Sequence, residues 1–494
     1  MSVLSPRPAA PSPSVKWFAA FLLVQLAVLE GSLGVSPFVL YLSAAALAAF
    51  AFAVGVLLYP WLVVPVIVLS TALDATGRLV QGTGGKFNLT GFHLAFVLLG
   101  IALGANTFLR RRTVFPAFEL RAPLGCLLAA IAVSLTYSPN QPEATIGFVR
   151  IAALVVFVYM VELMLDSRRA VALVIWSMLP ISAAGAVWGA YQVITGRFHL
   201  PVDVVQALGG IVPRATASFN NPNVFATFLM SAAVPMVSVL VNYRMRWWQR
   251  GLFAAAIAIS MGGILASFSR STWLATMTAI VVLLWLSGKL RYLFVLGIVG
   301  AVAVLVLREF VPFAAYIAER FLSIFRFVEE YGQVGSTSGT ARVLLVIAGL
   351  KMFLDHPLLG VGWRGFPELF PKYAPPGFPY WSRVNESHTV VTTVLAELGL
   401  VGFLAFAWFV VRVVRRGYAA LPGMQDPYLR AVLIGVLATF VGFQVSQSFN
   451  GDIANNTFWF YTGMLFAVIR LDEKLRAEAS PAAREPSPVR PESA

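Results

Sequence analysis

At 494 residues, with 59% hydrophobic and only 12% charged residues and a mean hydropathy of +0.80, the chain is excluded by composition from the soluble globular proteins of its size. A formal charge of +14 would fit a nucleic-acid partner only if Lys and Arg gathered on a soluble face; here much of the excess lies in short loops between apolar runs, so nucleic acid is excluded as a partner. The single cysteine, Cys126, lies inside an apolar run, which rules out an intramolecular disulfide and argues against a zinc site.

In chain order, residues 1–16 carry Arg7, Lys16 and a Pro-rich stretch, and read as a disordered cytoplasmic leader ahead of a retained first span near Trp17. Apolar runs of about 17 to 25 residues, the length that crosses a hydrocarbon core, follow at 17–35, 37–56, 58–75, 90–108, 122–138, 146–166, 170–194, 222–242, 250–267, 271–287, 291–308, 389–411, 428–447 and 456–470. The expected fold is an all-α integral membrane protein of about 12 to 14 transmembrane helices. Residues 17–308 would form an N-terminal bundle, 309–388 a large periplasmic loop, 389–470 the C-terminal helices and 471–494 a disordered cytoplasmic tail. No internal repeat is evident.

Orientation follows from the basic loops. With the N-terminus inside, Arg110 to Arg112, Arg168-Arg169, Arg244, Arg246, Arg250, Lys289, Arg291, Arg412, Arg415 and Arg416 all fall on the cytoplasmic side. The opposite, periplasmic side collects 76–89, 139–145, 195–221, 268–270, 309–388 and 448–455. Within the longest of these loops, Thr340 reads as an N-cap and Pro357 as a stop. The segment between them predicts an amphipathic helix lying on or just above the outer leaflet.

Arg270, in Ser269-Arg270-Ser271-Thr272, sits between two apolar runs at the outer boundary. A cation there has a partner or a function, or else snorkels to lipid phosphates. Arg214 precedes Asn220-Asn221-Pro222-Asn223, a helix-entry signal that explains the asparagines but not the arginine. Arg342 stands near the start of the amphipathic helix, where an anion would be favoured by both the guanidinium and the free N–H groups. Three arginines on one side suit a diphosphate, since guanidinium makes bidentate contacts to phosphate oxygens and stays charged.

His388, in Asn385-Glu386-Ser387-His388, stands at the mouth of a long span. Imidazole ordinarily titrates near pH 6.5 and can take a proton from a hydroxyl nucleophile, although a histidine at a helix start can also be packing alone. His93, His199 and His356 read as structural. Asn385 and Glu397 are supporting candidates; Glu397 lies nine residues past His388, out of phase with it, inside the expected span. The outer loops hold no D-x-D pair and no carboxylate–histidine cluster, so no metal site and no cofactor is expected. Arginines would have to stabilise a diphosphate leaving group.

Four stretches in the last half of the chain resemble the O-antigen ligase and polymerase superfamily: Arg214 to Ala226, Ser267 to Ala275, Arg342 to Phe366 with its core His356-Pro357-Leu358-Leu359-Gly360-Val361-Gly362, and His388 to Gly402. The last follows the ligase pattern of His, a small polar residue, nine residues, then Gly-x-x-Gly, with Thr389 where Asn, Ser or Gln is commoner. The resemblance implies a GT-C-type fold in the bacterial inner membrane and a metal-independent, inverting transfer. Arg214, Arg270 and Arg342 would bind the diphosphate of an undecaprenyl-linked glycan donor, and His388 would activate an acceptor hydroxyl.

The acceptor would be lipid A core, a second lipid-linked glycan or a protein side chain, which separates ligase, polymerase and protein O-oligosaccharyltransferase; membrane lipid is the remaining partner. A lipid-linked glycan transporter would use the same arginines without breaking a bond, but the paired broken helices of such transporters are not visible in the sequence.

Overall fold

The computed structural model describes residues 62–72, 80–81, 88–89, 91–109, 117–197, 204–207, 210–219, 221–295, 297–298, 300, 302, 338–375, 378, 384, 387–451 and 453–479. The spans expected at 17–35 and 37–56, most of that at 291–308, and His199 and Asn385 lie outside the described residues. The chain divides into two compact units, residues 1–63 with 98–113 and residues 64–97 with 114–494. The site lies in the second, which the following paragraphs describe.

Among the described residues the protein is all-α apart from two two-stranded antiparallel hairpins. Its helices are α1 (Val63–Ala72), α2 (Gly91–Leu109), α3 (Arg121–Ser134), α4 (Gln141–Met164), α5 (Arg168–Thr195), α6 (Pro222–Asn242), α7 (Trp247–Ala266), α8 (Arg270–Leu286), α9 (Ser338–Asp355), α10 (Phe366–Tyr373), α11 (Val390–Ala420), α12 (Pro427–Gln447) and α13 (Asn456–Ala479). The hairpins pair β1 (Val80–Gln81) with β2 (Asn88–Leu89) and β3 (Val204–Ala207) with β4 (Gly210–Pro213). Among the described residues six helices, α4 to α7, α11 and α12, are long and apolar enough to cross a membrane. This is a multi-pass integral membrane protein.

The helices start where capping chemistry allows. Asn140, Ser167, Asn221, Ser269, Thr389 and Asp426 each accept a first-turn backbone N–H with their side chains, satisfying donors that a helix N-terminus leaves open. Pro142, Pro222 and Pro427 occupy first-turn positions, where no N–H is needed. α6 and α12 form the centre of the bundle, and a Cβ on Gly435 of α12 would stand 2.6 Å from the Pro235 Cα of α6. In lipid such small-residue contacts replace the hydrophobic drive that water would supply.

Ion pairs mark one end of the bundle. Arg168 meets Asp426 at 3.3 Å, Arg416 meets Glu119 at 2.9 Å and Glu473 at 2.7 Å, and Arg470 meets Glu162 at 2.9 Å. The expected tail does not begin at Leu471: α13 continues to Ala479. Asp472, 1% exposed, holds that extension by accepting the backbone N–H groups of Gln425 and Asp426 and pairing with Arg476.

Candidate functional site

The opposite end gathers the residues that could carry chemistry. Arg214 follows β4 and is half-buried. Its Nε donates to the Ser267 carbonyl at 2.9 Å and its Nη2 to Asn223 Oδ1 at 3.2 Å. The Ser269 hydroxyl donates to the same Asn223 oxygen at 2.7 Å and caps α8, whose first residue is Arg270. Arg214 and the Arg270 turn, far apart in sequence, are thereby joined through Asn223. The asparagine run divides its work: Asn221 caps α6, whereas Asn223 is the hub of the site.

Below this hub lies a layer of hydroxyls. Thr227 Oγ1 lies 2.9 Å from Ser446 Oγ on α12, and Thr272 Oγ1 lies 2.9 Å from Ser269 Oγ. Above it, Gln192 of α5 grips the Arg214 segment: its Oε1 accepts the N–H groups of Thr216 at 3.0 Å and Ala217 at 2.8 Å, and its Nε2 donates to the Ala217 carbonyl at 3.1 Å. Gln192, 1% exposed, was not legible as a site residue, because one amide in an apolar helix carries no spacing signal. The grip holds Ala217 at φ 47°, and Phe268, beside Ser269, is held at φ 52°. Left-handed backbone in residues with a Cβ costs about 1 to 2 kcal/mol and persists where surroundings over-determine it.

His388 has φ 58° and is half-buried, immediately ahead of the Thr389 cap of α11. Ser387, fully buried, donates to the Thr389 carbonyl at 2.9 Å and lies 2.8 Å from Thr393 Oγ1, so the turn carrying the imidazole is tied to the helix it precedes. α9 packs on α11 with Gly349 against Thr392, where an added Cβ would meet Thr392 Cγ2 at 2.4 Å. Arg342, half-buried, stands two turns before Gly349 on α9, and His388 one turn before Thr392. The structure thus brings Arg342 and His388 onto packed neighbours, and Arg214 and Arg270 onto another pair.

Two expectations change. α9 begins at Ser338, not after Thr340, so Arg342 is the fifth helical residue and the open N–H groups are those of the first four. Glu397 lies in the helix that His388 precedes but faces another task. It is 2% exposed, and its Oε1 accepts the Phe366 N–H at 3.2 Å, at the start of α10.

α11 breaks two residues later at Gly399 (φ 62°, ψ −160°). The 356–362 turn is laced onto this break, with Val361 and Gly362 donating to the carbonyls of Ala396 and Glu397, and Leu400 and Val401 donating to those of Pro357 and Leu358. The break falls inside the candidate span, whose apolar run extends from Val390 to Val411, ahead of Arg412, Arg415 and Arg416. The segment after the His388 turn, with Thr392 and Glu397, is thus the first part of that run. No group of three or more His, Cys, Asp or Glu side chains with metal-ligand geometry occurs among the described residues.

Residues 253–407 match a family model described as O-antigen ligase. This stretch is similar to the O-antigen ligases. The matched region contains Arg270, Arg342, His388 and both interlaced stretches around Gly360 and Gly399, while Arg214 and Gln192 lie ahead of it in sequence and are joined to it by the fold. The match supports the O-antigen ligase and polymerase superfamily for this region, and with it a ligase-like or polymerase membrane glycosyltransferase. A search of curated proteins finds no match. Among solved structures, a chain of a peptidoglycan synthase complex that coordinates polymerization and crosslinking is similar at 15% identity and a TM-score of 0.42, over 72% of this chain and 99% of that one. At that level the likeness says nothing about activity.

Proposed function

We propose that the protein transfers a glycan from undecaprenyl diphosphate to an acceptor hydroxyl, of the lipid A core class, on the periplasmic face of the inner membrane. The bundle would be of the GT-C type, with both termini cytoplasmic. The observation that carries this reading is the Arg214–Asn223–Ser269 junction: it sets Arg214 against the N-terminal turn of α8 that begins with Arg270, where helix N–H groups and guanidinium charge favour one anion.

In the proposed step the acceptor oxygen attacks the anomeric carbon in line with the diphosphate and inverts it. The hydroxyl proton passes to His388. The bond from the anomeric carbon to the diphosphate oxygen breaks with its electron pair, and undecaprenyl diphosphate leaves with one more negative charge. Arg214 and Arg270, with Arg342, stabilise that charge as it develops, which is the part a divalent cation plays in other transferases. The left-handed backbone at His388 supports its role as the base, because strained residues collect where a side chain must be aimed. The description of the matching domain favours lipid A core over a second lipid-linked glycan or a protein as acceptor.

The test is reconstitution of the purified protein with an undecaprenyl diphosphate glycan and each acceptor class, followed by identification of the product. His388→Ala and Arg270→Ala variants are expected to bind to the membrane normally and to transfer nothing; normal transfer by both would overturn the reading.

A further inference from the structure

Among the described residues, four non-glycine positions have left-handed backbone. Ala217, Phe268 and His388 belong to the site above; the fourth is Arg364 (φ 60°), which has no part in it. Arg364 lies in the turn between Gly362 and α10, and its guanidinium carbon is 5.7 Å from the centroid of the Trp363 ring. The two side chains pack onto α4 at Gly147, where a Cβ would stand 3.2 Å from Arg364 Nε and 2.5 Å from Trp363 Nε1. Glycine at 147 is what lets this turn reach the helix.

Arg150 projects from α4 one turn further on. It is exposed, and its Nη2 donates to the Ala454 carbonyl at 3.0 Å, two residues before α13 begins. That contact sets Arg150 at the depth where α13 starts, the outward boundary of the bundle. His93 of α2, read as structural from sequence, lies within electrostatic reach of Arg150. Arg150 and the Arg364 turn thus lie along the same stretch of α4, one turn apart.

Partners separate these arginines from those at the other end. There Arg168, Arg412, Arg416, Arg470 and Arg476 all pair with carboxylates. Neither Arg150 nor Arg364 makes an ion pair among the described residues; what they touch is a carbonyl and an indole face. Bringing like charges together is unfavourable and more so at low dielectric, and an anion between them offsets that cost. Two guanidinium forks at an outward membrane boundary fit a phosphate bidentately.

Position gives the site a use. The 448–455 connection separates it from the Arg214 network. On one side of it Asn450 donates to the Ser446 carbonyl at 3.1 Å, and Ser446 adjoins Thr227 below Arg214; on the other, Ala454 receives Arg150. A transferase with two lipid-borne substrates needs two membrane-level anchor points.

We propose that Arg150 and Arg364 form a second anion site, which holds a phosphate of the acceptor lipid across the 448–455 connection from the donor diphosphate. This rests on the two-substrate reading given above. The site positions the acceptor and takes no part in bond breaking.

The experiment measures binding of bisphosphorylated lipid A, and of the same lipid enzymatically dephosphorylated, to the full chain in phosphatidylcholine nanodiscs. The Arg150→Gln/Arg364→Gln double variant is expected to bind the phosphorylated lipid about tenfold more weakly or worse, a difference of about 1.4 kcal/mol, with the dephosphorylated lipid unchanged. Arg150→Lys, which keeps the charge and the apolar stem, should fall between, and serves if the double variant does not fold. Equal binding of phosphorylated lipid by wild type and variants overturns the proposal, as does an equal loss for both lipids. Competition by phosphatidylglycerol as effective as lipid A itself also overturns it, since the site would then be a bulk-lipid contact. Binding requires no turnover: phosphate-dependent binding without glycan transfer sinks only the proposed reaction, and transfer with an unaltered acceptor KM in the double variant sinks only this site.

Discussion

Gly360 and Gly399 lie where two stretches of backbone meet with no room for a side chain on either. A Cβ on Gly360 would stand 2.4 Å from the Glu397 carbonyl carbon and 2.6 Å from the Gly399 nitrogen, and a Cβ on Gly399 would stand 2.4 Å from the carbonyl of Leu358. Both residues have positive φ, 71° and 62°. The 356–362 and 399–402 stretches are therefore one interlock, which breaks α11 and fixes the angle between its first turns, which follow His388, and the rest of the helix.

Gly360→Ala and Gly399→Ala should each destabilise the protein by about 3 kcal/mol, from left-handed strain together with overpacking against backbone. Thermal unfolding in detergent reads this directly. An unchanged melting temperature in both would show that the interlock yields at little cost.

Asn223→Asp separates charge from packing. A carboxylate placed where Asn223 Oδ1 meets Arg214 Nη2 at 3.2 Å would pair with the guanidinium and compete with a diphosphate for it. The expected outcome is a fold of unchanged stability, with donor binding weakened at least about tenfold. Isothermal titration with an undecaprenyl diphosphate glycan measures it, and donor affinity equal to wild type would remove Arg214 from the donor site.

Gln192→Ala leaves the N–H groups of Thr216 and Ala217 without their acceptor, at about 1 to 3 kcal/mol for each buried donor. The Arg214 segment should loosen, lowering both the melting temperature and kcat/KM for the donor. Gln192→Glu, which keeps the acceptor and loses only the Nε2 donor to the Ala217 carbonyl, should recover part of both.

Glu162→Ala tests the inward end. Glu162 is 3% exposed and pairs with Arg470 at 2.9 Å, so its loss strands a charge at a cost of about 3 kcal/mol or more. Stability should fall while transfer per folded molecule stays at the wild-type value. A fall in turnover at equal folded fraction would tie this end to the chemistry.

By itself the sequence determined that this is a membrane protein and the position of most described spans, because bilayer thickness acts on every short segment independently. The spacing from His388 to Gly402 was readable for the same reason, as it lies within one short stretch of chain. Only the tertiary structure decided that Gln192 and Asn223 build the Arg214 segment, that Glu397 caps α10, that Gly360 answers Gly399 and that Arg364 meets α4 beside Arg150. Each of these joins residues remote along the chain through backbone donors and acceptors whose partners are set by how the helices pack. A lone glutamine, a glycine without its counterpart or an arginine in a turn has no local signature of that partner.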